Sequence, residues 1–340
     1  MDFGLTLLTH GVMTRDGDGD CILQNISPQE MRPVESAVRA EELGFHSVWF
    51  SDHVVTERET KGAHTANTSG KRAYPERPVI LDVPTTIGAI SSRTSTLRFS
   101  PSVHIAPYRH PLITAHEFAT LDVLSSGRVI LTVGVGWEQG EFAAMGASYE
   151  HRGGVTEECL QIYKLAWTED WIDFHGRHFD IADVSMDPKP VQKPHPPLWY
   201  GGVTPFAARR AARHCDGFYP MFLDAVSRPE TFDPLREEIQ REGERAGRDL
   251  TGFRLGGFCQ VRVTDDAERD PRFKGERPLL TGTAEQILED LQHFADFGYS
   301  HVTTHFDCPS GTRAEWDEQV ERFAAEVLPA AREIQVRELV

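Results

Sequence analysis

Residues Leu97–Gly136 read LRFSPSVHIAPYRHPLITAHEFATLDVLSSGRVILTVGVG, and this stretch carries the clearest strand and helix signals of the chain. Leu97–Ile105 and Arg128–Val135 are short runs with β-branched residues, which predict two strands. Between them, Pro111–Leu124 has apolar residues at helical spacing and predicts a helix. A crossover of this length joins parallel strands, because a tight hairpin cannot contain a helix. The stretch therefore predicts a strand–helix–strand unit of a parallel sheet.

The same alternation continues along the rest of the chain. Further strands are predicted at Phe3–Leu8, Ser47–Phe50, Leu198–Tyr200, Gly217–Phe222, Phe253–Val263 and His301–Phe306. Further helices are predicted at Ser27–Leu43, Pro84–Ser92, Gly153–Trp167, Pro205–His214, Asp233–Ala246, Ala284–Phe297 and Arg313–Ile334. This alternation is the pattern of a (β/α)8 TIM barrel, an α/β fold. A doubly wound sheet with a second domain competes, but the first strand–helix turn lacks Gly-x-Gly-x-x-Gly and no composition break divides the chain. We expect a single barrel domain over residues 1–340.

Three insertions interrupt the barrel pattern, near residues 9–27, 56–83 and 168–197. The first is rich in Gly and Asp and predicts a loop. The second is long and polar, and loops of that length in compact domains are usually functional lids or disordered. The third predicts a small hairpin around His175–Arg177. We expect the identity of the substrate to be decided in these insertions.

Composition limits the class of protein. Hydrophobic residues make up 39% and charged residues 26% of the 340 residues, which is ordinary for a soluble enzyme. The net charge of −17 disfavours nucleic acid or an anionic membrane as partner, because like charges repel. The five cysteines form no Cys-x-x-Cys pair, which favours reduced thiols and a cytoplasmic location. No apolar run approaches the roughly 18 residues of a membrane span.

Four loops at predicted strand ends carry unusual chemistry, and function in a barrel lies in those loops. Asp52 and His53 follow the second strand, where an imidazole suits proton transfer, although a purely structural Asp-His pair is an open alternative. Residues 102–104 form a loop of small side chains after the third strand. Gly134 and Gly136 follow the fourth strand and allow a backbone to approach a ligand, but their spacing is not the dinucleotide fingerprint.

The fifth strand leads into the strongest of these loops. Gly201 to Thr204 precede Pro205 and a helix, so free backbone N–H groups are expected at a helix N-terminus. Such an arrangement suits a phosphate, and a plain capped turn is the alternative.

Metal and serine hydrolysis have weaker support. His10, His301 and His305 are the ligands that a metal-dependent barrel hydrolase would use, and we keep that enzyme as the alternative. His301 and His305 share a face of the eighth strand, but no carboxylate–histidine cluster surrounds them in the sequence. We therefore predict no metal. No Gly-x-Ser-x-Gly elbow is present.

Three segments carry a family resemblance. They are GFHSVWFSDH (residues 44–53), APYRHPLITAHEFATLDVLSSGRVILTVGVGWEQGEF (residues 106–142) and DPKPVQKPHPPLWYGGVTPFAARRAARHCDGF (residues 187–218). The chain resembles, over nearly its whole length, the bacterial luciferase-like oxidoreductases, which are barrels that use FMN or the deazaflavin coenzyme F420. The resemblance implies a luciferase-like TIM barrel. It also implies a flavin- or deazaflavin-dependent oxidoreductase or monooxygenase.

The resemblance assigns roles to the loop residues. Asp52 would contact the isoalloxazine, and His53 would face its reactive edge, the two shuttling protons. Ser102 and Val103 would be joined by a cis peptide that bulges behind the central ring. The remaining cofactor contacts that it implies are Gly134 and Gly136 against the ring, Gly201, Gly202, Val203 and Thr204 at the phosphate, and Arg152 on the phosphate side.

One position departs from the deazaflavin-dependent dehydrogenases of this family. They carry Glu directly after Gly-x-Gly, whereas this chain has Trp137 there and Glu138 one residue later. Trp137 would instead make an apolar, stacking substrate pocket, and Glu138 is the candidate acid.

Coenzyme F420 is the preferred cofactor and FMN the second choice, because the basic insertion from Lys61 to Arg77 slightly favours the oligoglutamate tail of F420. A solvated lid without a role in binding is the alternative for this insertion. We expect hydride transfer to, or oxygenation of, a small and largely apolar substrate, with a separate flavin or F420 reductase as a possible partner. A homodimer is a family expectation. A non-catalytic flavin-binding protein is a further alternative.

Overall fold

The computed structural model describes residues 1–16, 20–58, 67, 69–221, 223, 229–266 and 277–338. Its main sheet contains eight parallel strands that follow one another around a barrel in chain order. They are β1 (Asp2–Thr6), β2 (Ser47–Phe50), β3 (Arg98–Pro101, resumed at His104–Ile105), β4 (Leu131–Gly134), β5 (Leu198–Gly201), β6 (Gly217–Tyr219), β7 (Arg254–Val263) and β8 (His301–Phe306). The predicted TIM barrel is confirmed.

Helices cover the outside of the barrel. The described helices are Pro28–Met31, Pro33–Leu43, Val83–Ser91, Pro111–Ser125, Gln139–Ala144, Arg152–Thr168, Pro205–His214, Pro229–Arg245, Ala284–Asp296, Arg313–Arg322 and Leu328–Ala331. The described part of the chain also has a 3-10 turn at Ala106–Tyr108 and a π turn at Phe323–Val327. None of the described helices combines the length and apolar character needed to cross a membrane.

Strand β3 is interrupted, and its two parts together pair with both neighbouring strands of the barrel. The first part of β3 pairs with β2, and its second part pairs with β4 through His104 and Val133. Phe99 in the first part also exchanges hydrogen bonds with the chain leading into β4, at 3.1 Å to Arg128 O and 2.9 Å from Ile130 N. The break between the two parts therefore falls at Ser102–Val103 and turns the chain towards the barrel interior.

Large aromatic side chains fill the barrel towards the N-terminal ends of its strands. Trp49 stacks on Tyr219 with ring centroids 4.7 Å apart, and His301 lies 5.1 Å from Trp49 and 5.6 Å from Trp199. All four are at least 96% buried. This packed layer is the floor of the cavity described below.

The first insertion differs from the loop that was expected. Val12–Arg15 and Cys21–Gln24 pair as an antiparallel hairpin, although the residues at its tip, 17–19, lie outside the described part. The whole of Val12–Arg15 is buried, and burial alternates only in Cys21–Gln24. Val12 packs in the barrel core, whereas Met13, Cys21 and Leu23 pack with Ala73 of the second insertion.

Two further boundaries also differ. The predicted Ser27–Leu43 helix is divided at Arg32, whose φ of 40° lies in the left-handed region because Pro33 disfavours a helical conformation in the residue before it. The short helix Gln139–Ala144 was not predicted. The hairpin expected in the third insertion is confirmed, with Ile172–His175 paired to Asp180–Val184.

Candidate functional site

An open cavity of about 880 Å³ lies at the C-terminal ends of the barrel strands. Side chains at or following seven of the eight strands line it, and the hairpin of the first insertion adds Cys21 and Leu23. Ala73 and Tyr74 of the second insertion also line the cavity. The concave shape and the mainly apolar lining are those of a small-molecule site.

Val103 forms a bulge in the cavity wall. The peptide bond between Ser102 and Val103 is cis, as the resemblance implied. A Cβ at Gly134 would lie 2.4 Å from Val103 Cγ2, and a Cβ at Gly201 would lie 2.5 Å from Val103 Cγ1. Glycine is therefore required at both positions to admit the Val103 side chain. This is a different reason from the expected approach of Gly134 to a ring, which stays a prediction.

Glycine is also required at position 136 for steric reasons. Its φ is +77°, and a Cβ there would lie 2.8 Å from Ile105 Cγ2 and 2.9 Å from Phe142 Cε2. The tight turn at Gly136 places Trp137 on the cavity wall, which agrees with the pocket position predicted for this side chain. A large apolar side chain at this place selects substrates by their shape and not by their charge.

Asp52 is buried in an ion pair. Its two carboxylate oxygens accept hydrogen bonds from Arg109 at 2.8 and 2.9 Å, and Oδ2 also accepts from Ile105 N at 3.0 Å. Burial by itself would raise the pKa of Asp52, but His104 and Arg109 outweigh it and hold the pKa well below its usual value. Asp52 lines the cavity and is held as a carboxylate that anchors β3 and its bulge, while its expected cofactor contact and proton-shuttle role stay predictions.

His53 has the opposite electrostatics. Its Nδ1 lies 2.9 Å from Glu141 Oε2 and 3.8 Å from Glu138 Oε2. Burial lowers the pKa of His53, but the hydrogen bond to Glu141 and the charges of Glu141, Glu138 and Asp52 raise it above the usual value in balance. His53 lines the cavity, and its Nε2 has no hydrogen-bond partner within the described ranges. The imidazole can therefore present a proton to a bound molecule.

Glu138 lies behind His53 rather than on the cavity wall. It is 2% exposed, and burial together with the neighbouring Glu141 raises its pKa. Among the described residues that line the cavity, the nearest to it in sequence is Trp137. Glu138 can hold His53 in its protonated form, but its direct role as an acid stays a prediction.

Glu141 is the residue that the sequence interpretation missed. Fully buried, it accepts hydrogen bonds from Val54 N at 2.7 Å and Tyr108 OH at 3.0 Å besides its bond with His53. Glu138 and Glu141 are three residues apart, and that spacing could have indicated a shared helical face. Arg109 was also overlooked although it lies in the quoted family segment, because a single sequence does not show that its partner is Asp52.

The loop after β5 has the predicted capped form. Thr204 is the N-cap of the helix Pro205–His214, and its side chain accepts a hydrogen bond from Ala207 N at 3.2 Å. Gly202 has a φ of +147° and donates its N–H to Tyr219 O. Val203 is 42% exposed, so the turn is accessible to a ligand. The Gly202 N–H is therefore not free, contrary to the expectation, and phosphate binding at this helix N-terminus stays a prediction.

Arg152 begins the helix Arg152–Thr168, as expected. Its guanidinium lies 3.8 Å from the ring centroid of Tyr149 and donates to the Tyr149 carbonyl oxygen at 2.7 Å. The next residue, Gly153, faces Arg210 of the helix that Thr204 caps. Arg152 is thus on the side of the predicted phosphate loop, and contact with a phosphate stays a prediction.

The three histidines of the metal-hydrolase alternative do not form one site. His10 and His305 line the cavity with ring centroids 5.4 Å apart. His301 lies four residues earlier on β8, about 13 Å away along an extended strand, among the aromatic residues of the floor. The sequence placed His301 and His305 on one face correctly, but the length of the strand separates them, and this ligand set is wrong.

Other groups in the described part of the chain are close enough to hold a metal ion. His53, Glu138 and Glu141 offer atoms within 4.8 Å of one another, as do Asp2, His46 and His301. In the first group, Glu141 already accepts hydrogen bonds from His53 and three further donors, so its oxygens are satisfied without a cation.

The basic second insertion is described only in part. Lys61 and His64 lie outside the described residues. Arg72 donates to the carbonyl oxygens of Glu57 and Arg58, and Lys71 lies 3.5 Å from Asp16 Oδ2. Lys71 and Arg72 therefore contact other parts of this chain, and a role of the insertion in binding a polyanionic tail stays a prediction.

Comparison with known proteins gives a consistent picture. The family described as luciferase-like monooxygenase matches residues 1–272. An F420-dependent glucose-6-phosphate dehydrogenase of Amycolatopsis mediterranei is 32% identical over 345 residues, covering 91% of this chain and 96% of that protein. An FMNH(2)-dependent dimethylsulfone monooxygenase of Pseudomonas putida is 32% identical over 289 residues, covering 73% of this chain and 77% of that protein.

A solved structure shares the fold. The oxygenating constituent of 3,6-diketocamphane monooxygenase from Pseudomonas putida, solved with FMN, superposes with a TM-score of 0.73 over 99% of this chain and 100% of that chain. The two sequences are 17% identical, so this likeness concerns the fold.

Proposed function

Since this chain belongs to the luciferase-like monooxygenase family, we propose that it binds a reduced deazaflavin or flavin and reduces or oxygenates a small, largely apolar organic substrate. Coenzyme F420 is the first candidate cofactor and FMN the second. Relatives that use each of them are about equally similar to this chain, at 32% identity. The greater coverage of the F420-dependent relative favours F420.

The observation that carries the proposal is the position of His53. Its imidazole is on the cavity wall, and its Nδ1 is held at 2.9 Å by the buried Glu141, which leaves Nε2 as the nitrogen available to a ligand. A carboxylate that orients an imidazole and stabilises its protonated form is a common arrangement for general acid catalysis. His53 is therefore the proposed proton donor.

We expect the cavity to hold a flat ring system whose phosphate-bearing side chain extends to the loop after β5, which does not itself line the cavity. Val103 presents an apolar bulge on one wall, between Gly134 of β4 and Gly201 of β5. The capped turn at Thr204 directly follows β5, so a phosphate there and a ring against Val103 would belong to one ligand. When bound, a reduced deazaflavin or flavin would supply a hydride equivalent, and a flavin could also supply activated oxygen.

The residues of the chain divide the remaining tasks. His53 delivers a proton through Nε2, and Glu141 holds the ring in the orientation that presents this nitrogen. Asp52 and Arg109 fix the loop that carries Val103. Trp137 excludes water and packs against an apolar substrate.

Titration of the purified protein with F420 and FMN, followed by fluorescence, tests the proposal. Micromolar binding of F420 with FMN ignored supports the deazaflavin enzyme, and the reverse supports an FMN enzyme. Binding of neither contradicts the proposed function.

A His53→Ala variant tests the role of the imidazole. Turnover with the accepted substrate is expected to fall by roughly 10²–10⁴-fold, the usual contribution of a general acid. Cofactor affinity is expected to stay within a few-fold of the wild-type value. His175→Ala is the matched control, since His175 is an exposed imidazole of the third insertion. Equal turnover of the two variants would exclude His53 as the acid.

We also propose a separate reductase as the source of the reduced cofactor and a homodimer as the assembly. Both follow from the family and are tested by reconstitution with a flavin or F420 reductase and by sedimentation.

A further inference from the structure

We propose that His10 and His305 form a substrate-recognition pair that binds an uncharged oxygen group, a ketone or an alcohol, at the apolar end of the cavity. This inference rests on the proposed function, because it specifies the substrate of the same site. The two residues are called the histidine pair below.

The histidine pair is a buried feature of the cavity wall. His10 is 2% exposed and His305 is 8% exposed, and both line the cavity. Their rings meet edge to face, with centroids 5.4 Å apart and an interplanar angle of 70°. Two imidazoles in this arrangement can reach the same small group of a ligand.

Neither imidazole has a hydrogen-bond partner in the described part of the chain. His10 Nδ1 and His305 Nε2 are buried and make no hydrogen bond there. The contacts of His305 are ring contacts, with His10 and with Phe258 at 6.2 Å. Buried polar side chains are almost always hydrogen-bonded in folded proteins, because their desolvation is costly otherwise. These two nitrogens are shielded from the cavity, so a polar group on the substrate would meet the other nitrogen of each ring, His10 Nε2 and His305 Nδ1.

The barrel order places the histidine pair across the cavity from the proposed cofactor wall. His10 follows β1, and His305 is on β8, which pairs with β1. Val103 packs between β4 and β5. In a barrel of eight strands in chain order, β1 and β8 lie opposite β5 and β4. A molecule held by the histidine pair would therefore face a ring stacked on Val103.

The chemistry of the pair suits an uncharged group. Burial and the neighbouring His53 lower the pKa of His10 to about 4, and burial with the neighbouring His10 lowers the pKa of His305 well below its usual value. A neutral imidazole offers one donor and one acceptor, which match a carbonyl or hydroxyl group. The surrounding Leu23, Met221 and Phe258 would contact the hydrocarbon part of such a molecule.

His301 is a built-in comparison on the same strand. It is fully buried, and burial lowers its pKa too. Unlike His305, it lies among Trp49 and Trp199 and within 3.4 Å of Ser47 Oγ. Its environment is that of a structural imidazole in the barrel floor.

The test is NMR of protein labelled with ¹⁵N-histidine, at pH 7. His10→Leu and His305→Leu variants assign the two signals, and His301→Leu assigns the control signal. Cyclohexanone, cyclohexanol and cyclohexanecarboxylate are then added separately to wild-type protein at 50 mM each, a range in which weakly bound fragments occupy such sites. These three probes share one ring and differ in the polar group.

We expect cyclohexanone or cyclohexanol to move the His10 and His305 signals, and to leave the His301 signal in place. Cyclohexanecarboxylate is expected to move neither signal of the pair. We expect His305→Leu to weaken binding of the uncharged probe by about tenfold, and His305→Gln, whose amide keeps a donor and an acceptor, to restore most of it.

Three results would overturn the inference. They are no movement of either signal with any probe, equal or larger movement with the carboxylate, or unchanged affinity of the uncharged probe in His305→Leu. The cofactor titration decides the proposed function separately. A protein that binds F420 or FMN but shows one of these results keeps its proposed function and loses only this assignment.

Discussion

Buried imidazoles on two walls of one cavity behave in opposite ways. On one wall, His53 bonds to Glu141 next to the Asp52–Arg109 ion pair, and its pKa is raised. On the other, His10 has no carboxylate partner in the described residues, and its pKa falls to about 4. Burial acts on both in the same direction, so the difference comes from the carboxylates that the fold brings to His53.

The comparison separates a proton-donating wall from a recognition wall. The ion-pair wall, formed by Asp52, His53, Arg109 and Glu141, has its charges matched within the chain. The histidine pair offers uncharged hydrogen-bonding groups to a ligand. Paired charges hold a fixed geometry that a reaction can use. Buried neutral groups without a hydrogen-bond partner in the described chain are stabilised most when a ligand supplies one. The following predictions test this contrast.

The largest effect is expected from removing one charge of the ion-pair wall. Asp52→Asn should lower the free energy of unfolding by about 3–5 kcal/mol, because Arg109 stays buried without its counter-charge. Guanidinium denaturation measures the change. Glu321→Gln is the control, since the Arg39–Glu321 pair is 50% and 45% exposed and such pairs contribute about 1 kcal/mol or less. Equal losses in the two variants would contradict the role given to Asp52.

The bulge at Val103 should be nearly as sensitive. A Cβ at Gly134 would lie 2.4 Å from Val103 Cγ2, so Gly134→Ala should destabilise the fold by about 1–3 kcal/mol through overpacking. Val103→Ala removes the clashing methyl group, and the double variant should therefore recover part of this loss in a double-mutant cycle.

Gly88 provides the control for the bulge. A Cβ at Gly88 would meet Leu121 Cδ2 at an ordinary 3.8 Å. In this helix, Gly88→Ala should be neutral or stabilising by up to about 1 kcal/mol. Strict additivity of the Gly134 and Val103 changes would mean that the two residues do not oppose each other.

Substitution of Glu141 should reduce the difference in pKa between His53 and His10. In Glu141→Gln, His53 loses a charged partner, and its pKa should fall towards that of the histidine pair. Because the folded pKa of His53 is raised, its protonated form is complete at low pH and is lost as the pH rises through that pKa. A ¹⁵N-histidine titration and the pH–rate profile should both show this loss at lower pH in the variant. Tyr108→Phe, which removes only one donor to Glu141, serves as the milder control.

The smallest effect on stability is expected at the histidine pair. His305→Leu removes a buried imidazole that makes no hydrogen bond to the described chain, so unfolding should change by less than about 1 kcal/mol. Thermal or guanidinium denaturation checks this. A loss comparable with that of Asp52→Asn would show that His305 is a structural residue.

The sequence predicted much of the site because its residues follow strand ends. His53, Trp137 and the capped turn at Thr204 lie where a barrel predicts them. Asp52 was placed on the cavity wall, but its ion pair was not predicted, since the partner Arg109 is 57 residues away in the sequence. Glu141 was missed for the same reason, since its contact with His53 joins residues 88 positions apart.

Local patterns therefore determined the barrel, its helices and the strand ends that surround the cavity, because periodicity and capping depend on neighbouring residues. Only the tertiary structure decided which buried groups are charged. Burial penalises every ionised side chain, and whether a counter-charge lies within about 3 Å depends on how distant strands meet. His53 and His10 have the same side chain and share one cavity. Their pKa values shift in opposite directions because only His53 has such a counter-charge among the described residues.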